Sequence, residues 1–344
     1  MFERIEIERF RGIRYAEIEG LKQVNLFFGK NNCGKSSLLE SIFLVSGLSN
    51  PLLPLNVNIM RGYAKSQLND LKLEFYNLDA TQPIHFRIQD GEIRDLIINL
   101  IEQTQENVTL KTEDSNIITN VEQGKYGLKF DFSIDGKAYV SQLHFDPSDP
   151  TNATRIIPNE YVESLRCAYL NPKFDFTGSI QGLKNIIQNK DEHFILSGLK
   201  LIEPSVQDFV FTDNVMLVDT GLGKRLPVNV LGDGARKIVS LLTAVYDCKD
   251  GALLIDEISN GFHHSVMRDL WSVLISASLR SNTQLFVTTH DIDSIKGLRD
   301  AALNKYDDMI AAFKLLRTKD DELKSYHYSL NSLDYSINQE IEVR

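Results

Sequence analysis

Residues 29–36 read Gly-Lys-Asn-Asn-Cys-Gly-Lys-Ser, and this octapeptide constrains the fold more than any other part of the chain. In the pattern Gly-x-x-x-x-Gly-Lys-Ser, small residues let the backbone curl until successive N–H groups converge on one point. Such a loop needs a strand to enter it and a helix to leave it. Val24-Asn25-Leu26-Phe27-Phe28 has strand character, and Leu38, Leu39, Ile42, Phe43 and Val45 recur at helical spacing up to Gly47. The unit is a phosphate cradle, with the positive end of the helix facing an anion. In it Lys35 reaches the β- and γ-phosphates of ATP, and the Ser36 hydroxyl ligates Mg²⁺. Gly29, Asn31, Asn32, Gly34 and Ser37 complete the expected nucleotide-binding set. Asn32 tolerates the left-handed backbone that such a curl demands.

The second half of the chain supplies matching chemistry. Ala252-Leu253-Leu254-Ile255 is a continuous apolar run, as expected of a strand covered on both faces in a parallel sheet. It ends in Asp256-Glu257, and ligands of open α/β sheets bind beyond the C-terminal strand ends. There Asp256 would hold Mg²⁺ and Glu257 would act as general base on the attacking water. Leu285 to Thr289 is a second such strand, and His290 at its end would reach a γ-phosphate, or else cap the next helix. Leu231-Gly232-Asp233-Gly234 opens a helix running to about Tyr246, as a second anion-binding helix N-terminus or a plain turn and cap.

Between these halves the texture changes. Leu71–Phe75, Ile84–Ile88 and Tyr126–Ile134 read as strands, and Asp135-Gly136 offers a hairpin turn into Tyr139–Leu143. The tyrosines and phenylalanines of 126–145 read as sheet packing. Asp146–Arg155 reads as a loop, and 158–210 as helical up to Pro204. Trp271, spaced with Met267 and Leu274, reads as core. The expectation is an α/β core of residues 1–50 and 211–344, a β-rich part at 51–157 and a helical subdomain at 158–210.

Composition removes other classes. The net charge of −10 argues against a bulk nucleic-acid coat, although a local basic groove is compatible with it. The apolar runs are far shorter than the ~18 residues needed to span a bilayer, and the charged N-terminus lacks the apolar stretch of a signal peptide. A cytoplasmic location is expected. Three cysteines (Cys33, Cys167, Cys248) without a Cys-x-x-Cys pair make neither a zinc site nor a disulfide framework.

Taken in order, Phe28–Ser36, Leu231–Gly234, Ile255–Ser265 and Phe286–His290 resemble the ABC-type ATPase heads of SMC, RecF and OLD proteins, most nearly the stand-alone OLD-like AAA ATPases. The resemblance implies a P-loop NTPase fold of ABC-ATPase type with an antiparallel β region and a helical insertion. It implies a slow Mg²⁺-dependent ATPase that closes head to head around two ATPs, as a homodimer or within a higher homo-oligomer. Gly232, Asp233 and Gly234 would then touch the γ-phosphate bound by the other copy, and Asn260–His264 would lie at the same interface. Departures narrow it. Leu-Gly-Asp-Gly is not the Leu-Ser-Gly-Gly of transporters, no sustained heptad pattern is present, and no Toprim-type nuclease is expected after the ATPase motifs. The family's glutamine loop has three candidates, Gln82, Gln142 and Gln181. The resemblance further implies the sensor of an antiphage system such as Septu or PARIS, controlling a separately encoded nuclease or toxin. A RecF-like repair ATPase with DNA as partner, and a scaffold holding unhydrolysed ATP, are the alternatives.

Overall fold

The computed structural model describes residues 1–63, 68–102, 107–110, 118–121, 126–146, 149–172, 180–212 and 214–339. The N-terminal elements are β1 (Arg4–Phe10), β2 (Ile13–Glu19), β3 (Val24–Phe28), α1 (Lys35–Ser46), α2 (Leu53–Met60) and α3 (Leu68–Lys72). Strands follow: β4 (Ile84–Gln89), β5 (Ile93–Glu102), β6 (Asn107–Leu110), β7 (Ile118–Val121), β8 (Tyr126–Ile134), β9 (Lys137–Asp146), β10 (Asp149–Ile156) and β11 (Cys167–Leu170). Then come α4 (Ile180–Gln188), α5 (Glu192–Ile202), β12 (Asp208–Thr212), β13 (Val215–Asp219), β14 (Leu226–Pro227) and α6 (Asp233–Asp247). The chain continues through β15 (Ala252–Ile255), α7 (Met267–Ser281), β16 (Gln284–Thr289), α8 (Ile292–Ala302), β17 (Ile310–Arg317), β18 (Glu322–Tyr328) and α9 (Leu330–Asn338).

One 13-stranded sheet carries most of these strands, in the order β10-β9-β8-β5-β4-β1-β2-β18-β17-β3-β16-β15-β11. The run β17-β3-β16-β15-β11 is parallel, and the run from β10 to β2 is antiparallel. Burial explains the two sequence textures. Every residue of β3, β15 and β16 is buried, so these strands show no polar alternation. In β4, Ile84, Phe86 and Ile88 are buried while His85 and Arg87 are not, because one face of that lobe meets solvent. The sheet separates two cores. Leu26 and Phe28 point into a core with α4–α8, and Phe27 into one with α1 and the antiparallel strands. Phe27 stacks between Phe286 and Phe313, with ring centroids 6.4 and 5.3 Å away.

Three local readings of the sequence are corrected. Leu71–Phe75 is no strand: α3 ends at Lys72, and Phe75 makes an isolated bridge to Phe10. The buried positions there, Leu71, Glu74 and Phe75, follow helical rather than alternating spacing. Of the stretch Asp146–Arg155, read as a loop, residues 147–148 lie outside the described residues, Asp146 closes β9, and Asp149–Arg155 belong to the edge strand β10, which pairs with β9 through a register shift between Asp149 and Ala153. An edge position with a bulge tolerates its proline and polar residues. Within the stretch read as helical, Cys167–Leu170 is a parallel strand on β15. A short apolar run does not by itself distinguish the two structures.

Two buried charge clusters fix α1. Arg94 reaches from β5 to the C-terminal end of α1, where its guanidinium lies 3.4 Å from the Val45 and Ser46 carbonyls, and it pairs with Glu163 at 2.5 Å. Arg94→Met would leave those carbonyls and Glu163 without their cation. A loss of about 2–4 kcal/mol is expected in urea denaturation.

At the middle of α1, Arg11 pairs with Glu74 at 3.1 Å and Glu40 at 3.3 Å, and Arg61 pairs with Glu40 at 2.6 Å. Burial outweighs Arg11 and pushes the Glu74 carboxyl from 4.5 up to about 7. The folded chain therefore holds this proton more tightly than the unfolded one. Its contribution to stability is full below pH 4.5 and is lost as pH rises through 7. The denaturation midpoint should fall across that window in the wild type and flatten in Glu74→Gln.

Candidate active site

β3 delivers the chain into the phosphate loop at the C-terminal edge of the parallel sheet. A Cβ on Gly29 would lie 2.6 Å from the Leu315 carbonyl oxygen, so the loop needs glycine to pack against β17. Asn32 has φ 63° and Gly34 φ 112°, the left-handed turns that bring the chain round into α1. Lys35 is buried at the first position of that helix. Its Nζ donates to the Gly29 and Lys30 carbonyls at 3.1 and 3.2 Å, and it stands 3.7 Å from Glu257 Oε1.

The carboxylates are held from neighbouring strands. Ser36 Oγ donates to Asp256 Oδ2 at 2.7 Å. Thr288 Oγ1 donates to Asp256 Oδ1 at 2.5 Å and accepts from the Glu257 backbone N–H at 2.9 Å. The Tyr169 hydroxyl donates to Asp256 Oδ2 at 3.3 Å, and burial raises that phenol so far that it stays a donor. Glu257 has φ 54°, a sharp turn after β15, and its Oε2 accepts from His290 Nδ1 at 2.6 Å. Glu257 thus sits between Lys35 and His290. The buried Cys33 thiol is pushed up by burial and stays protonated, an inert filler under the loop.

A hydroxyl and a carboxylate in contact, Ser36 and Asp256, are hard oxygen donors. Among the described residues no group of three or more His, Cys, Asp or Glu could hold a metal. A two-donor set fits Mg²⁺, which keeps several waters and takes phosphate oxygens as its other ligands.

Lys35, Ser36, Asp256, Glu257 and His290 therefore lie together, with Gly29, Asn31, Asn32 and Gly34 in the adjoining loop and Ser37 on the first turn of α1. Gly232, Asp233 and Gly234 do not join this cluster. Gly232, with φ 91°, caps α6 with open space where a side chain would be. Asp233 is 94% exposed, and Gly234 faces Ile202 and the Gly261 carbonyl. His263 and His264 are exposed on the same loop as Gly261, with ring centroids 4.0 Å apart. Of the glutamines, Gln82 lies in an exposed turn, Gln142 pairs with His144 and Gln181 with Asn185. Sequence reasoning missed Thr288 and Tyr169. A polar Thr-Thr pair closing an apolar strand marks the first. Nothing local marks the second.

A phosphate loop leaving a buried parallel sheet, two consecutive carboxylates at the end of β15 two strands away, and a broad antiparallel extension define a P-loop ATPase with the ABC-type head fold. Residues 24–295 match the family described as "AAA domain, putative AbiEii toxin, Type IV TA system", and the chain belongs to that family. It is 25% identical to an ATP/GTP phosphatase of Helicobacter pylori, with 99% of each chain aligned. A 44-residue segment is 52% identical to part of an uncharacterized protein of Methanocaldococcus jannaschii, covering 13% of this chain and 20% of that one. Its fold is that of SMC heads. An SMC head bound to the C-terminal winged-helix domain of ScpA superposes with a TM-score of 0.52 at 11% identity, over 97% of this chain and 99% of that one. A second SMC head, with an extended coiled coil and bound to the C-terminal domain of ScpA derived from Pyrococcus furiosus, gives 0.52 at 9% identity over 99% of both. Among the described residues no helix is long and apolar enough to cross a membrane.

Proposed function

We propose that the chain is an Mg²⁺-ATP-driven switch that closes head to head as a homodimer and reopens on hydrolysis. One observation carries this reading. The P-loop, Asp256, Glu257 and His290 cluster together, while a second glycine-flanked helix N-terminus, Gly232–Gly234, lies outside that cluster with Gly232 and Asp233 exposed. A second copy would complete each site with that segment, and Asn260–His264 would flank it. Lys35 would reach the β- and γ-phosphates. Ser36 and Asp256 would hold Mg²⁺, which would neutralise phosphate charge. Glu257 orients the attacking water and takes its proton, with His290 fixing the carboxylate and reaching the γ-phosphate. The Helicobacter relative's name, ATP/GTP phosphatase, supports GTP as a second substrate.

Complementation tests the composite sites. Lys35→Ala and Gly234→Asp should each be inactive alone. Mixed in equal amounts they should recover activity, up to a ceiling of about a quarter of wild type, because half the dimers are mixed and each holds one intact P-loop opposite one intact Gly232–Gly234 segment. No recovery would mean that each chain works alone.

The switch's output is read as control of a separately encoded effector, a nuclease or toxin, in antiphage defence of the OLD-like type. The toxin–antitoxin description of the matched family supports it. Co-purification of a neighbour-encoded protein in an ATP-dependent manner is the expected result. DNA-stimulated, salt-sensitive turnover would instead favour the RecF-like reading.

A further inference from the structure

Lys237 has no part in the nucleotide cluster, yet its surroundings are unusual for a lysine. It lies on α6, one turn beyond Gly234, and is half-buried. Its Nζ donates to the Asn260 carbonyl and stands 5.5 Å from the centroid of the Phe262 ring. Between those two residues is Gly261, where a Cβ would meet Lys237 Cδ at 3.6 Å and Nζ at 3.8 Å. Gly234 faces the same loop, with the Gly261 carbonyl 3.8 Å from its Cβ position. Burial alone lowers the Lys237 ammonium to about 8, with no carboxylate offsetting it. A cation is thus partly desolvated to hold one carbonyl and one ring face. The loop it holds is continuous with the base: Asn260 N–H donates to the Glu257 carbonyl and Ile258 N–H to that of Thr288.

We infer that Lys237 is a positioning residue that clamps the Gly232–Gly234 end of α6 to the Asn260–Phe262 loop, so that this segment and Glu257 move as one body. The inference rests on the dimer reading for its consequence. In that dimer Gly232–Gly234 touches the nucleotide bound by the other copy, while Glu257 serves the nucleotide bound by its own. The clamp is therefore a mechanical tie between the two ATP sites, and it makes hydrolysis cooperative in ATP. A coupling of this kind is typically worth 5–150-fold.

The test uses the full chain with Lys237→Met, which keeps the apolar stem, and Lys237→Arg, which keeps the charge. In Lys237→Met, amide exchange of residues 259–263 in the nucleotide-free protein should rise about tenfold while the 29–36 loop is unchanged. ATP affinity should stay within about twofold, kcat should fall about tenfold and the Hill coefficient should drop to one. Lys237→Arg should recover part of both the protection and the cooperativity. Unchanged exchange at 259–263 in Lys237→Met overturns the clamp, whatever the assembly state. Raised exchange with wild-type kcat and cooperativity overturns the tie between sites. A uniform rise in exchange with parallel loss of ATP affinity shows a merely structural lysine and overturns it too. A wild type that stays monomeric with ATP contradicts the dimer and with it the tie between sites, leaving the clamp to be judged on exchange alone.

Discussion

Glu257→Gln should lower steady-state ATP hydrolysis by about 10²–10⁴-fold, the usual cost of removing a general base, while nucleotide still binds. The substitution is nearly isosteric. The amide can keep the contact to His290 Nδ1, now 2.6 Å from the carboxylate, and the backbone bond from Glu257 N–H to Thr288 Oγ1 is untouched. What is lost is the capacity to accept a proton from water. Single-turnover and binding measurements separate the two effects. A variant that turned over at the wild-type rate would remove Glu257 from its role and leave His290 as the nearest alternative.

Lys35→Ala should abolish tight nucleotide binding. Truncating one partner of a buried, hydrogen-bonded charge pair costs roughly 2–5 kcal/mol, or about 30- to 5,000-fold in affinity. Lys35 Nζ is held at the loop by the Gly29 and Lys30 carbonyls, at 3.1 and 3.2 Å. Its removal also strips Glu257 of a cation 3.7 Å away. Equilibrium titration with a fluorescent ATP analogue reads the loss directly. Retained affinity would mean that the loop's N–H groups suffice.

The phosphate loop was legible because its demands are local. Gly29, Asn32 and Gly34 are needed for backbone shape, and eight consecutive residues state them. Asp256 and Glu257 were legible because an apolar run buried on both faces must end somewhere, and polar residues at that end face the ligand side. Thr288 and Tyr169 contribute to the same site but come from strands that pair only in the folded sheet, 32 and 87 residues from Asp256. The same holds for Arg11 with Glu74, a buried pair 63 residues apart that looks like two surface charges in the sequence. The strand Cys167–Leu170 was read as helix because four apolar residues carry no period, and its identity comes from β15 alongside it. Lys237 was silent for a related reason: one lysine among helix residues says nothing until the loop it holds is in place.

Nucleotide is expected to close two copies around composite sites. The most direct test of that closure is the solution mass of Glu257→Gln with and without Mg²⁺-ATP, beside the wild type. A monomer is expected without nucleotide, a stable dimer or larger assembly in the variant with Mg²⁺-ATP, and only transient assembly in the hydrolysing wild type. A variant that binds Mg²⁺-ATP and remains a monomer at concentrations well above its ATP affinity would contradict it.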